Sequence, residues 1–289
     1  MRPSSPSRYL TLTVLAFTLL LAAWLRFYRI EYQSYWNDEG NSLGLAGRSV
    51  DVIVRSAAAD IHPPGYYLLL KGWRALVGET ELALRGFSAL TGLVLVALLY
   101  QLGREYFDVT AAVAAALLGA INPFLIYYAQ EARMYALLAT LSAASFLLFS
   151  KWLRSSRPPA SPFGDWGLGI GYCLTTALGL YTHYAFPFVL LAQNLAALGG
   201  LLAHRRSGGR KRLGAWIGLQ AITLALFLPW LPTAYRQVMT WPAAREAHPF
   251  FATLADTTRF LAFGRTIKTE EVIFGLVIVG VLLLLVHQE

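Results

Sequence analysis

Apolar stretches long enough to cross a bilayer, about 17 to 25 residues each, recur along the whole of this 289-residue chain, and nothing else in it limits the fold as severely. Eight spans are predicted, running approximately Tyr9 to Phe27, Leu82 to Leu102, Ala111 to Tyr127, Ala132 to Leu153, Trp166 to Thr182, Ala185 to Ala203, Leu213 to Leu231 and Val272 to Val286. The fold class is therefore an all-α, polytopic transmembrane helical bundle forming one domain over residues 1–289. Charged residues make up only 14% of the chain, well below the roughly one quarter of a soluble domain. Arg2 and Arg8 precede the first span as they would in a secretory signal. That run is long, however, and Trp24, Arg26 and Arg29 follow it in place of a small-residue cleavage site, so it reads as an uncleaved anchor.

Cys173 is the only cysteine and lies inside a predicted span, which excludes an intrachain disulfide or a cysteine-based metal cluster. A net charge of +8 does not point to nucleic acid, because the basic residues concentrate in short loops between spans, as membrane insertion requires. The sidedness of the chain turns on Pro63 to Val77, a short apolar segment that opens with two prolines and carries Lys71, Trp73 and Arg74. If it lies in the interface as an amphipathic helix, the basic loops Lys151 to Arg157 and Arg205 to Arg212 fall on the cytoplasmic side with the N-terminus. Eleven of the 24 basic residues and only four of the 16 acidic ones are then cytoplasmic.

This topology brings four polar clusters to the outer face. They are Trp36-Asn37-Asp38-Glu39 in a first outer loop spanning 28–81, His62-Pro63-Pro64 before the interfacial helix, Gln130-Glu131-Ala132-Arg133 opening the fourth span, and Thr182-His183-Tyr184. Arg85 joins them at the outer start of the second span. Converging titratable groups at a membrane surface are what a site looks like. Each residue also has a plainer use. Asn37 or Asp38 suits a helix N-cap, and a lone His-Pro-Pro is commonly a corner. Glu131 and Arg133 serve equally as boundary charges, and a lone interfacial His183 is more often structural. Asn122-Pro123, Tyr127-Tyr128 and the glycines at 167, 169 and 171 are explained by membrane boundaries and helix packing. Arginine pairs bind phosphate oxygens in bidentate fashion, so Arg85 and Arg133 at headgroup depth suit a lipid phosphate.

The order and spacing of the carboxylate pair, the His-Pro-Pro helix, the arginine-led second span and the segment Gln130-Glu131-Ala132-Arg133-Met134-Tyr135 resemble the GT-C glycosyltransferases. The specific likeness is to the family-39-like group of protein O-mannosyltransferases and bacterial aminoarabinose transferases, over roughly Tyr9 to Ala203. The resemblance implies juxtamembrane helices in the first outer loop, at about Asn41 to Ala57 and Pro63 to Val77. It implies a polyprenyl-phosphate-linked sugar as donor and a lipid, glycan or protein acceptor, cell-envelope glycans and lipopolysaccharide among them. Asp38 maps onto the proposed catalytic carboxylate with Glu39 as its neighbour, while His62, Arg85, Gln130, Glu131, Arg133, Tyr135 and His183 become substrate-binding candidates. The site of action is then a multi-pass protein of a bacterial inner membrane, N-terminus cytoplasmic and in contact with membrane lipids. Family members usually carry further spans beyond the point where this chain stops at Glu289, which leaves acceptor binding least defined.

On this reading an acceptor hydroxyl attacks the anomeric carbon with inversion while Asp38 takes its proton. No cofactor is required by the residues, and a divalent cation on Glu39 or Glu131 is an open alternative. Two rival functions are a transporter or flippase of lipid-linked sugar, whose mark is ionisable residues or broken helices at mid-membrane, and a family member that binds lipid without turnover.

Overall fold

In the computed structural model the described residues are 8–155, 164–203, 209–240 and 249–264, and among them the secondary structure is helical throughout. The order is α1 (Arg8–Phe27), α2 (Asn37–Ala46), α3 (Val50–Ala59), α4 (Gly65–Val77), α5 (Glu81–Tyr106), α6 (Val109–Ile121), α7 (Pro123–Ala129), α8 (Tyr135–Arg154), α9 (Gly164–Thr182), α10 (Phe186–Ala203), α11 (Gly209–Phe227), α12 (Leu231–Thr240) and α13 (Phe250–Phe263). Helices α1, α5 and α8 are each long and apolar enough to cross a bilayer, and the bent pairs α6–α7 and α11–α12 bring that number to five. The expected spans from Trp166 and from Ala185 coincide with α9 and α10, and Val272 to Val286 lies outside the described residues.

Local chemistry sets the helix ends. Thr80 caps α5 by accepting from the Ala83 N–H at 3.2 Å, with Glu81 in the first turn and Arg104 in the last to complement the helix dipole. Asp108 caps α6 through the Ala111 N–H at 2.8 Å. The third span departs from the continuous helix expected over Ala111 to Tyr127. Pro123 has no N–H to continue the ladder, and extended Asn122 ends α6 and caps α7 through Leu125, with a bend of 57°. The span expected to end at Leu231 stops instead at Phe227, and the chain turns by 79° into α12, whose second residue is Pro232. The stretch from Asn41 to Ala57 is likewise two helices, broken between Ala46 and Val50 around Gly47. Ala132 to Met134 form a turn, so the fourth span begins at Tyr135.

Helix α5 forms the centre, packed between α8 and α6 and touched by α1, α4 and α7, while α9 lies between α8 and α11. Small residues let α1, α5 and α6 approach closely, with Ala22, Val96, Ala116 and Ala120 in one buried cluster. A Cβ on Gly103 would stand 2.5 Å from the Ala112 Cα, so α5 and α6 meet there at backbone distance. At the opposite end of α5, a larger cluster that includes Tyr66, Leu70, Leu84, Met134, Phe186 and Trp230 joins α4 to the ends of the long helices.

Arg85, in the first turns of α5, donates to the carbonyls of Ile30 and Gln33 just beyond α1, each at 2.7 Å. The chain therefore leaves α1 and enters α5 at the same end of the bundle, and residues 28–81 return without a crossing. Helix α4 has 13 residues, about 20 Å at 1.5 Å per residue, against a hydrocarbon core of about 30 Å. Both facts support the interfacial reading of Pro63 to Val77.

Candidate functional site

The sequence-predicted clusters meet at that end of the bundle, in two layers with different chemistry. The inner layer is built on Glu39, which is fully buried and forms the third residue of α2. Its Oε1 accepts from Arg85 Nε at 2.8 Å and from the Ala132 N–H at 2.8 Å, and its Oε2 accepts from Arg85 Nη2 at 2.7 Å. The Trp36 N–H, 3.4 Å away, closes the return half of a capping box. Besides Ile30 and Gln33, Arg85 reaches the Ser34 carbonyl at 3.4 Å, so all five of its N–H groups are committed. Breaking such a buried pair by removing one partner costs about 3–5 kcal/mol.

Two candidates change roles as a result. Glu39 and Arg85 are a structural pair that ties α2, α5 and the 130–134 turn together, with no oxygen or guanidinium edge left for a sugar, a phosphate or a cation. Gln130 donates through its Nε2 to the carbonyls of Leu25 and Tyr28 at 3.1 and 3.0 Å, closing the end of α1. The fully buried Arg26 does the same for α6, reaching the Gly119 and Ala120 carbonyls at 3.0 and 3.1 Å. Glu131 is buried, and its carbonyl accepts from the Arg133 N–H at 2.8 Å. Among the described residues no three His, Cys, Asp or Glu side chains converge as a metal ligand set.

The outer layer is built on Asp38, which sits one residue from Glu39 and projects from the first turn of α2 with 38% of its side chain exposed. The cap of that helix is Trp36, so neither Asn37 nor Asp38 holds the capping position. The one ion pair of the Asp38 carboxylate among the described residues is with Arg133 Nη2, at 3.3 Å, and Arg133 Nη1 lies 3.3 Å from the Asp38 carbonyl. Arg133 is itself buried, stands 5.8 Å over the Tyr135 ring, and its Nε has no hydrogen-bond partner. A buried guanidinium whose ion pair is with a part-exposed carboxylate places positive charge at the edge of the site.

Two imidazoles complete this layer. The rings of His62 and His183 are 5.8 Å apart, and Tyr135 lies 6.0 Å from His183. His62 Nδ1 is 3.5 Å from the Asp60 carboxylate, and His183 Nδ1 accepts from the Ala185 N–H at 3.0 Å. The second bond fixes the tautomer of His183, whose Nε2 carries the proton and is a donor. Burial, then the neighbouring His62 and Arg133 charges, push His183 down to about 4. His62 is lowered by burial and Arg133 against the opposing pull of Asp60. Both rings are thus neutral at pH 7 and can hydrogen-bond without adding charge.

Positioning comes from α4 and α9. Pro63 and Pro64 fix the entry to α4, and Gly65 sits so close to α9 that a Cβ there would stand 2.6 Å from the Tyr181 carbonyl. That contact holds His62 against His183. The site also contains residues the sequence reading did not single out. Asp60 orients His62, and its backbone carbonyl accepts from Gln237 of α12. Tyr67 feels Arg133, Asp60 and Asp38, and Tyr128 stacks edge-on against Tyr135 at 4.7 Å. Asp60 was within reach, two residues before His62 in the same turn. Tyr128 was read only as part of the Tyr127-Tyr128 boundary pair, and Tyr67 only as part of the interfacial segment.

The fold belongs to a known class of membrane proteins, the GT-C glycosyltransferases. One similar structure is the S. cerevisiae protein O-mannosyltransferase Pmt1-Pmt2 complex bound to its sugar donor, at 16% identity over 81% of this chain and 35% of that one, with a TM-score of 0.60. Another is the archaeal oligosaccharyltransferase AglB from Archaeoglobus fulgidus in complex with an inhibitory peptide and a dolichol-phosphate, at 15% identity over 96% of this chain and 37% of that one, with a TM-score of 0.62. Residues 61–232, more than half of the chain, match the family described as dolichyl-phosphate-mannose-protein mannosyltransferase, and the chain belongs to that family. It spans little more than a third of the length of the two solved proteins. No curated protein matches its sequence.

Proposed function

We propose that this chain transfers a monosaccharide from a polyprenyl-phosphate donor to a hydroxyl of a lipid, glycan or protein acceptor on the non-cytoplasmic face, with inversion. The observation that carries the reading is the division of labour between adjacent carboxylates. Glu39 is buried and wholly consumed by the fold, whereas Asp38 is open on one side and shares the site with an under-coordinated arginine.

In the proposed step the acceptor oxygen forms a bond to the anomeric carbon as the bond from that carbon to the phosphate oxygen breaks. The electron pair leaves with the lipid phosphate, and the hydroxyl proton passes to Asp38. Phosphate is already a competent leaving group, so the protein's part is position and charge. Arg133, beside Asp38, offsets the developing phosphate charge with its own positive charge, and His183 offers its Nε2–H to an oxygen of the sugar or phosphate. Tyr135, Tyr67 and Tyr128 supply a wall against which a sugar ring can rest. Family membership and fold support a lipid-phosphate sugar as donor, and which sugar it carries is set by contacts beyond those described.

The test is direct. Purified protein in lipid nanodiscs is incubated with a panel of polyprenyl-phosphate sugars and acceptor hydroxyls, and release of polyprenyl phosphate is followed by mass spectrometry. Release that depends on an acceptor supports transfer. Binding of donors without any release, in protein shown to be folded, would leave a lipid-binding member of the family in its place.

A further inference from the structure

Away from the site, a groove of about 520 Å³ runs along the far side of α4, between that helix and the start of α3. We infer that this groove binds an anionic phospholipid of the surrounding bilayer, with an acyl chain along Leu68 and Gly72 and the phosphate between Lys71 and Arg74.

The placement follows from the helical period. Tyr66 and Leu70 are buried against the bundle, and Tyr67 faces Arg133. Leu68, Gly72 and Ala75 fall on the face opposite Tyr66 and Leu70, Lys71 stands at its edge, and all four line the groove. The same groove is lined by Glu79, which lies just ahead of the 26-residue α5, so it opens at the depth where a long apolar helix meets the headgroup layer. Leu76 is 81% exposed and Val50 55% exposed beside it, a costly display in water that lipid contact relieves.

The floor and the charge select the occupant. A Cβ added to Gly72 would meet no atom within 4 Å, so the helix leaves an open trough where an acyl chain can reach the backbone. Lys71 donates one of its three N–H groups to the Arg48 carbonyl at 2.8 Å, and Arg74 pairs with Glu79 while its Nε lacks a partner. Lys71 and Arg74 outnumber Glu79, the single acid lining the trough, which favours an anionic headgroup over a zwitterionic one. The donor's lipid phosphate is the other source of the same chemistry. On the proposed function it belongs with Asp38 and Arg133 beside Tyr67, seven residues and about 10 Å along α4 from Arg74, so the two sites are separable.

The experiment uses the full chain, equilibrated in vesicles of mixed phosphatidylglycerol and phosphatidylcholine, extracted gently and examined by native mass spectrometry. Phosphatidylglycerol should be retained in preference to phosphatidylcholine. Lys71→Gln should lower that preference about five-fold. Gly72→Leu, which fills the trough and also favours the helix, should remove the retained lipid while thermal unfolding stays that of the wild type. Added polyprenyl phosphate should leave the retained phosphatidylglycerol in place. Equal retention of both phospholipids would overturn the proposal, as would full retention by Gly72→Leu. So would displacement by polyprenyl phosphate together with loss of polyprenyl phosphate binding in Gly72→Leu, which would assign the groove to the donor.

Discussion

Two polar regions of this bundle handle the same physical problem in opposite ways. Among α8, α9, α10 and α11 a set of neutral side chains bond to one another. Tyr172 donates to Gln193 at 2.9 Å, Gln193 to Ser145 at 2.9 Å, Gln220 to Tyr172 at 3.1 Å and Trp216 to Asn194 at 2.9 Å. At the Asp38 end the groups are charged, and the outer layer holds a carboxylate and a guanidinium with capacity to spare. A closed neutral network fixes how helices register. An open charged one has room for a ligand.

The largest effect expected is on the inner layer that supports the open one. Glu39→Ala strands Arg85 as a buried charge and should destabilise the folded protein by about 3–5 kcal/mol, read by unfolding in detergent. A variant as stable as wild type would show that the pair does not anchor α2. Next in size, Arg133→Ala should lower turnover about 10²–10³-fold. Arg133→Lys should recover only part of it, because an ammonium lacks the planar fork. Turnover fully restored by lysine would reduce Arg133 to a point charge.

The interior network should respond in the reverse sense. Gln193→Leu removes two bonds, at about 0.6 kcal/mol each on average in membranes, and should leave turnover per folded molecule unchanged. A loss of turnover would mean that the network is coupled to the site. The remaining effect is the acid limb. His183 has a folded pKa of about 4, below its ordinary 6.5, so the unfolded chain binds more protons between those values. Stability is therefore full above about pH 6.5 and declines as pH falls toward 4. His183→Asn should flatten that decline in unfolding scans, and an unchanged slope would place the acid sensitivity elsewhere.

The sequence foretold the convergence of Asp38, His62, Arg133 and His183 because charged and aromatic residues near span ends have few places to go. It did not reveal which charges would consume each other. Glu39 and Asp38 are neighbours in the chain, as carboxylates their chemistry is alike, and only the third position of α2 turns one inward onto Arg85. The structural bonds of Gln130 were hidden for a similar reason, since an amide that caps the end of a helix 105 residues earlier leaves no local pattern. The break at Asn122-Pro123 was written in the sequence, but it registered only as a boundary. Asp60 and Tyr67 became visible when α4 and α9 closed on each other at Gly65.

The central claim is that Asp38 is the open carboxylate of a transferase and Glu39 its buried support. The measurement that tests it is sugar transfer by Asp38→Asn, normalised to folded protein, with a donor the wild type uses. Asparagine keeps the size of the side chain and removes its charge, so folding should survive while turnover falls by about 10²–10⁴-fold. Turnover near that of the wild type in a stable Asp38→Asn variant would contradict the account.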